Sequence, residues 1–258
     1  MLDPARVSAA LNPVKFARLL GIEPDPWQAE LLMSQDSRIL CNCSRQAGKD
    51  EVACILALHH ALNNPGAVVI CVAPSLRQSG LMYRRIYNYY RDLGKPVAAE
   101  IETALTLHLA NRSKIYAVPS GRDGSNIRGF AAVSLLIINE MSRCSDNLIA
   151  SVRPFLAVSG GRLIGLSTPA GKRGAFFELW MNGGSAYRRF KVTGYDVPRI
   201  PREFLAEERK ALGEYHFAAE YLCEFNALES SVFDYEDIQN AISDEVQALD
   251  FKVDLTLD

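Results

Sequence analysis

The chain has 258 residues, of which 48% are hydrophobic and 22% charged, with a net charge of −2. That balance fits a globular α/β chain with a sizeable core. It excludes a chain-wide basic surface, though not a local basic patch, and no apolar run approaches the ~18 residues of a membrane span. Met1-Leu2-Asp3-Pro4 lacks the basic and apolar regions of a signal peptide, and the six cysteines form no C-x-x-C pair, so they read as small buried hydrophobes in a reducing compartment.

In chain order, residues 4–20 read as an amphipathic helix with Leu11, Phe16, Leu19 and Leu20 on its apolar face and Gly21 as its stop. Pro26 suits the first turn of a helix that runs through Met33, and in it Trp27-Gln28 offers an amide suited to an adenine edge. Residues 37–42 form a β-friendly run that leads into Cys43-Ser44-Arg45-Gln46-Ala47-Gly48-Lys49-Asp50, and a helical pattern starts at Glu51. Strand, tight polar loop, Gly-Lys and helix is the layout of a phosphate-binding loop. Backbone N–H groups of Ser44 to Lys49 and the positive helix end face an anion there, and the lysine reaches the outer phosphates. Two positions depart from the usual G-x-x-x-x-G-K-[ST] pattern: Cys43 replaces the first glycine and Asp50 the metal-holding Ser or Thr.

Residues 67–73 are an unbroken strand pattern, and Pro74-Ser75 caps a helix over 76–93 carrying Arg77, Arg84, Arg85 and Arg91 among tyrosines. That face suits either a polynucleotide backbone or a solvated surface over a tyrosine-containing core. Short strands at 105–109 and 114–118 precede a polar, glycine-rich loop, Pro119–Gly129, with Arg122 and Arg128. A buried strand over 133–138 ends in Asn139-Glu140, where a carboxylate would sit in the crevice at a parallel strand's C-terminal end. Another strand, 161–169, ends in Ser167-Thr168-Pro169, followed by the basic loop Ala170–Gly174 with Lys172 and Arg173. A helix over 175–182, an edge strand over 186–193 with one cationic face, and helices over 201–212, 214–225 and 235–248 complete the reading. His59 and His60 are adjacent on a helix, point in different directions, and are poor metal ligands.

Pro-Trp-Gln, Ser-Arg-Gln-Ala-Gly-Lys, Ile-Arg-Gly, a strand ending in an acid, and Ser-Thr-Pro occur in that order, and Leu212-Gly213, Phe217, Glu220-Tyr221 and Glu224-Phe225 follow. Together they resemble the ATPase domain of the large terminase subunit of tailed bacteriophages over about residues 20–228. The resemblance implies a P-loop NTPase fold of the RecA- and helicase-like, glutamate-switch type. It would have a mainly parallel central sheet flanked by helices over residues 1–200 and a small helical subdomain or linker over 201–258. It implies ATP-driven translocation of double-stranded viral DNA into a procapsid, with ATP and Mg²⁺ as cofactors. The expected partners are a homo-oligomeric ring (a pentamer when docked), the portal protein and the small terminase subunit, in the host bacterial cytoplasm.

Position by position, Gln28 resembles the adenine-reading glutamine, and Arg45 and Lys49 resemble the phosphate-loop arginine and lysine. Glu140 resembles the residue that orients or deprotonates water, Ser167-Thr168-Pro169 the coupling motif, and Arg128 a trans arginine finger, a device worth about 10³–10⁵ in rate. Arg84, Arg85, Lys172 and Arg173 are candidates for DNA contact. A nuclease domain normally follows in the family; no cluster of acidic metal ligands is evident in this sequence, so no DNA cleavage is expected from it.

Asp50 and Asn139 stand where the family has Ser/Thr and Asp. The pair reads as an exchange in which the carboxylate has moved from strand end to helix start, where both residues could serve Mg²⁺. Two other readings remain open: a helicase-like remodelling ATPase, and a catalytically weakened nucleotide-binding assembly module.

Overall fold

A computed structural model describes residues 4–121, 127 and 129–226 of the chain. One sheet contains strands β1 (Arg38–Cys43), β2 (Val68–Ala73), β3 (Ala99–Glu102), β4 (Thr106–Leu109), β5 (Lys114–Pro119), β6 (Val133–Asn139), β7 (Arg162–Ser167) and β8 (Arg188–Val192). The spatial order is β3-β4-β5-β2-β6-β7-β1-β8. From β5 to β8 the neighbours are parallel, and β3 and β4 join the edge antiparallel. Helices are α1 (Pro4–Leu11), α2 (Pro13–Leu19), α3 (Pro26–Met33), α4 (Lys49–Asn63), α5 (Leu76–Asp92), α6 (Asp146–Ser159), α7 (Gly174–Asn182) and α8 (Arg202–Leu222).

The central strands are apolar on both faces because both faces are covered. Ile39, Cys41, Val69, Leu135, Ile137 and Ile164 face one core with residues of α1 to α5 and α8. Leu40, Ile70, Leu136, Ile138 and Leu163 face the other, closed by Leu148, Val152 and Leu156 of α6 and Phe176 of α7. Each such side chain contributes about 1.5–3 kcal/mol on burial, so truncating fully buried Ile137 to alanine costs about 2–5 kcal/mol.

The structure corrects several sequence expectations. The expected helix over 4–20 is two: Asn12 is extended, its Oδ1 accepts from the amides of Val14 and Lys15, and Pro13 starts a new helix. Strand β3 and helix α6 were not foreseen. Helix α8 runs over 202–222, and Gly213 (φ 73, ψ 164) breaks its geometry where the sequence reading placed a boundary. The expected helix over 235–248 lies outside the described residues. β8 is an edge strand as expected, with Arg188 and Lys191 exposed, but Arg189 is half-buried and its guanidinium donates to the carbonyls of Leu179, Trp180, Gly184 and Tyr187.

Because β6, β7 and β1 are adjacent, the segments after Asn139, Ser167 and Cys43 emerge side by side at one sheet edge. β1 is flanked by β7 and β8, which makes this the place where strand order turns back on itself and where ligands bind in such sheets.

Candidate nucleotide-binding site

The segment between β1 and α4 is held from behind. The Ser44 amide donates to Val192 O (2.8 Å) and the Arg45 amide to Glu220 O (2.9 Å), so these two N–H groups are spent on the protein. Ser44 is fully buried, and its Oγ donates to Arg45 O. The chain then turns through Gln46 (φ 58) and Gly48 (φ 84) into α4, where the Glu51 and Val52 amides already donate to Gly48 O and the positive helix end lies at the loop. Gly48 answers a steric demand as well as a positive φ: a Cβ there would lie 2.6 Å from Gln28 Nε2 and 3.1 Å from Arg199 Nη2.

Those two neighbours form a clamp. Gln28 Nε2 donates to Gly48 O (3.2 Å) while Gln28 Oε1 accepts from the Asp25 amide (2.8 Å). Arg199 Nη2 donates to Ala47 O (3.2 Å) and to Asp25 Oδ2 (2.6 Å), and the bond to Asp25 raises the Arg199 pKa further. Gln28 is 3% exposed and Trp27 packs in the core beside it, so both lie behind the loop rather than in the cavity.

The opposite wall comes from β6 and β7. Glu140 adopts φ 51, ψ 46, an uncommon conformation for a residue with a Cβ, and this turns its carboxylate back across the cleft. Its Oε1 lies 3.1 Å from Lys49 Nζ, which also donates to Thr168 Oγ1 at 3.4 Å. Asn139 Nδ2 donates to Asp50 Oδ1 at 2.7 Å, and Asn139 Oδ1 is buried without a hydrogen-bond partner among the described residues. Ser167 does not face the cleft: its Oγ lies 2.6 Å from Ser142 Oγ and accepts from the Ser142 amide, and both hydroxyls reach Thr168 O. Pro169 is buried beside them.

Between the walls lies a cavity of about 670 Å³, large enough for a nucleotide and strongly polar. Arg45, Gln46, Gly48, Lys49, Asp50, Glu51, Glu140 and Thr168 line it, whereas Ser44 and Ala47, also given to the nucleotide by the sequence reading, are buried. Arg45 is also tied to Glu220, whose Oε2 lies 3.7 Å from Arg45 Nε. Arg85, read from sequence as a DNA contact, instead lines this cavity from α5 with Gln78. Arg84 and Arg173 are exposed and Lys172 is half-buried. Arg128 lies outside the described residues.

Sequence reasoning missed Ser142, Arg143, Arg199 and Glu220. Arg143 follows Glu140 closely enough to have been suspected. Nothing local marks Arg199, and Glu220, though part of the resemblance, carries no sign of its contact with Arg45; both reach the loop from more than 150 residues away. The surplus of guanidinium and ammonium groups around the loop suits a polyanion. The oxygen donors of Asp50 and Asn139, one of them orphaned, fit a hard divalent cation that takes its remaining ligands from phosphate and water. Among the described residues no group of three or more His, Cys, Asp or Glu side chains could hold a metal by itself.

Fold and site together define a P-loop nucleotide-binding α/β protein. Residues 40–240 match the family model of the terminase large subunit, T4likevirus-type, N-terminal, and the chain belongs to that family. Curated relatives include the terminase large subunits of Thermus virus P23-45 and Thermus phage G20c, 26% and 25% identical. Both alignments cover 85% of this chain and 52% of the relative, so the chain spans about half the length of the curated relatives it matches. Among solved structures, the large terminase ATPase domain of Thermus phage P74-26 is similar with TM-score 0.72 and 23% identity, covering 82% of this chain and 97% of that one. The large terminase of a thermophilic bacteriophage, solved in complex with ADP, is similar with TM-score 0.60 and 12% identity over 81% of this chain and 52% of its own.

Proposed function

We propose that this chain is the ATP-hydrolysing motor part of a large terminase, driving double-stranded viral DNA into a procapsid. The observation that carries the reading is the convergence of Lys49 and Glu140 at 3.1 Å beside a nucleotide-sized cavity, next to a loop whose carbonyls are held by Gln28 and Arg199. Family membership and the likeness to nucleotide-bound terminases support it.

In this arrangement Lys49 and Glu140 neutralise each other. An entering polyphosphate competes for the ammonium through stronger, multiple charge-assisted bonds, and the carboxylate released from Lys49 is free to orient and deprotonate water. Arg45 is placed to exchange Glu220 for phosphate. Asp50 and Asn139 would hold Mg²⁺, which supplies charge neutralisation between the outer phosphates. Thr168 touches Lys49, and its carbonyl accepts from Ser142 and Ser167, so a change at the phosphate end is felt along the Ser167-Thr168-Pro169 segment. Arg128 serves a neighbouring subunit's ATP in a homo-oligomeric ring docked on a portal. The small subunit is the further partner, Arg84, Lys172 and Arg173 are the DNA-facing candidates, and the host cytoplasm is the setting.

The test is nucleotide binding and phosphate release measured side by side. Lys49→Ala should lose binding. Glu140→Gln should keep binding and lose turnover by about 10²–10⁴. Binding with no turnover in the unaltered protein, even with DNA present, would favour the assembly-module reading that the Asp50 and Asn139 substitutions leave open.

A further inference from the structure

The proposed reading gives Glu140 the attacking water but leaves open what keeps its carboxylate aimed once Lys49 has turned to phosphate. Without nucleotide, the ion pair to Lys49 aims it. A polyphosphate that takes the ammonium removes that restraint, and the direction of the carboxylate then depends on the backbone that carries it. That backbone is uncommon: φ 51, ψ 46 at a residue with a Cβ persists only where the surroundings over-determine it.

What over-determines it is the turn that follows, Met141–Arg143, and the fit of that turn to the end of β7. The Arg143 amide donates to Glu140 O at 2.9 Å and the Cys144 amide to Met141 O at 3.1 Å, which closes the turn on itself. Met141 is buried over Gly165, where any Cβ would run into the methionine sulfur. Ser142 then meets β7 and its exit three times. Its amide donates to Ser167 Oγ at 3.1 Å, its Oγ lies 2.6 Å from Ser167 Oγ, and its Oγ donates to Thr168 O at 2.8 Å. The two hydroxyls hold two protons for two needs, the contact between them and the Thr168 carbonyl, so both protons are placed within the protein. Glu140 Oε1 and Thr168 Oγ1 both touch Lys49, at 3.1 and 3.4 Å, and Ser142 joins the turn of the one to the backbone of the other. The remaining contacts to the strained residue are weaker. Cys144 Sγ reaches Glu140 O only at 3.7 Å and Asn139 O at 3.9 Å, and a thiol is a poor donor.

We propose that Ser142 is a positioning residue for hydrolysis. Its hydroxyl locks the Glu140 turn onto Ser167 and Thr168, so the carboxylate stays on the water when phosphate displaces it from Lys49. Ser142 is not among the residues that line the cavity, and it acts through Glu140. Nucleotide binding does not use this lock, so losing the hydroxyl falls on the chemical step and not on affinity.

The inference rests on the role given to Glu140 above, and one set of variants separates the two. ATP binding and phosphate release are measured on the full chain with Mg²⁺ for Ser142→Ala, Ser142→Thr, Glu140→Gln and the double variant Ser142→Ala with Glu140→Gln. Ser142→Ala should lower kcat by about 10- to 100-fold, the scale of a misplaced reacting group, with ATP affinity within about twofold. Ser142→Thr keeps the hydroxyl and should stay within about threefold of the unaltered kcat. In the Glu140→Gln background Ser142→Ala should cost nothing further, because the group it positions is gone. An unchanged kcat in Ser142→Ala, an equal loss in Ser142→Thr, or additive losses in the double variant would overturn the positioning role while Glu140 stands. So would a fall in ATP affinity as large as the fall in kcat, which marks a merely structural residue. Full turnover in Glu140→Gln would overturn the role of Glu140 and the inference with it.

Discussion

At the scale of single residues, the pair that departs from the family pattern is the most informative. Asp50 and Asn139 are 89 positions apart and joined at 2.7 Å, so the sequence reading that linked two odd residues is met by a direct contact. Asn139 spends its amide N–H on Asp50 and leaves Oδ1 buried and unpartnered, at a cost of about 1–3 kcal/mol unless something supplies a positive partner. Asn139→Asp alone would set a second carboxylate against Asp50, and Asp50→Ser alone would strip the pair of its carboxylate. Each single change should therefore lower ATP turnover strongly, while Asp50→Ser combined with Asn139→Asp should recover much of it, a coupling of about 1–3 kcal/mol. Additive losses would show that the two residues act separately. Removing divalent cations should weaken ATP binding sharply, because Asp50 would then repel the phosphates; equal affinity with and without Mg²⁺ would end the exchange idea. Gly48→Ala is a cleaner steric case: at φ 84, with Gln28 Nε2 2.6 Å from the new Cβ, it should destabilise the protein by about 1–3 kcal/mol in urea titrations and weaken ATP binding further. Glycine, lysine and the strand-end acid were legible because each is signalled by its own neighbours in sequence. The clamp was not, since Arg199 meets Asp25 across 174 positions and neither lies in a recognisable pattern.

At the scale of elements, α4 ties the phosphate loop to the far end of the sheet. Its apolar residues were read correctly, and its last turn carries a device that periodicity does not show. His60 Nε2 lies 3.0 Å from Ser134 Oγ on β6, and Ser134 in turn donates to Val68 O on β2, so one side chain stitches a helix to two strands. Burial, chiefly, pushes the His60 pKa down to about 4, and His59 is lowered for the same reason. Both rings are then neutral in the folded chain and take up protons more readily when unfolded. The sign follows: stability is fully present above the ordinary histidine pKa near 6.5 and is lost as pH falls from about 6.5 towards 4. His60 should account for about 2 kcal/mol of that loss after allowance for its partial exposure. His60→Gln should flatten the fall in urea midpoint between pH 7 and pH 4.5, and an undiminished slope would place the acid sensitivity elsewhere. The elements that escaped the sequence reading have physical reasons. Asn12-Pro13 offers a side-chain cap that outcompetes continuation of one helix into the next, and Pro154 interrupts the apolar rhythm over α6. The short β3 depends on pairing with β4 rather than on its own composition, Ala-Glu-Ile-Glu.

At the scale of the molecule, the parallel sheet was legible because strands covered on both faces are apolar along their length, and 67–73, 135–138 and 163–166 are. The spatial order was not, because nothing in a strand's own sequence names its neighbour, and it is that order which brings the ends of β1, β6 and β7 together. The same limit applies between subunits. Arg128, in the segment from 122 to 128, is assigned by resemblance to a neighbour's ATP rather than its own, and a mixing experiment decides between those two geometries. Arg128→Ala keeps its own Lys49 and Glu140 but offers no finger; Glu140→Gln offers a finger but has no functional glutamate. Each alone should be nearly inactive, the first because such a finger is worth about 10³–10⁵ in rate. If the finger acts across a contact, mixing the two under assembly conditions places an intact Arg128 against an intact Glu140 in some interfaces, and phosphate release should rise several-fold above either protein alone. If Arg128 acts within its own chain, no pairing unites the two intact residues and the mixture stays as inactive as its parts. A concentration series completes the distinction: turnover per chain in the unaltered protein should climb with protein concentration as contacts form, and a flat series would remove the neighbour from the reaction.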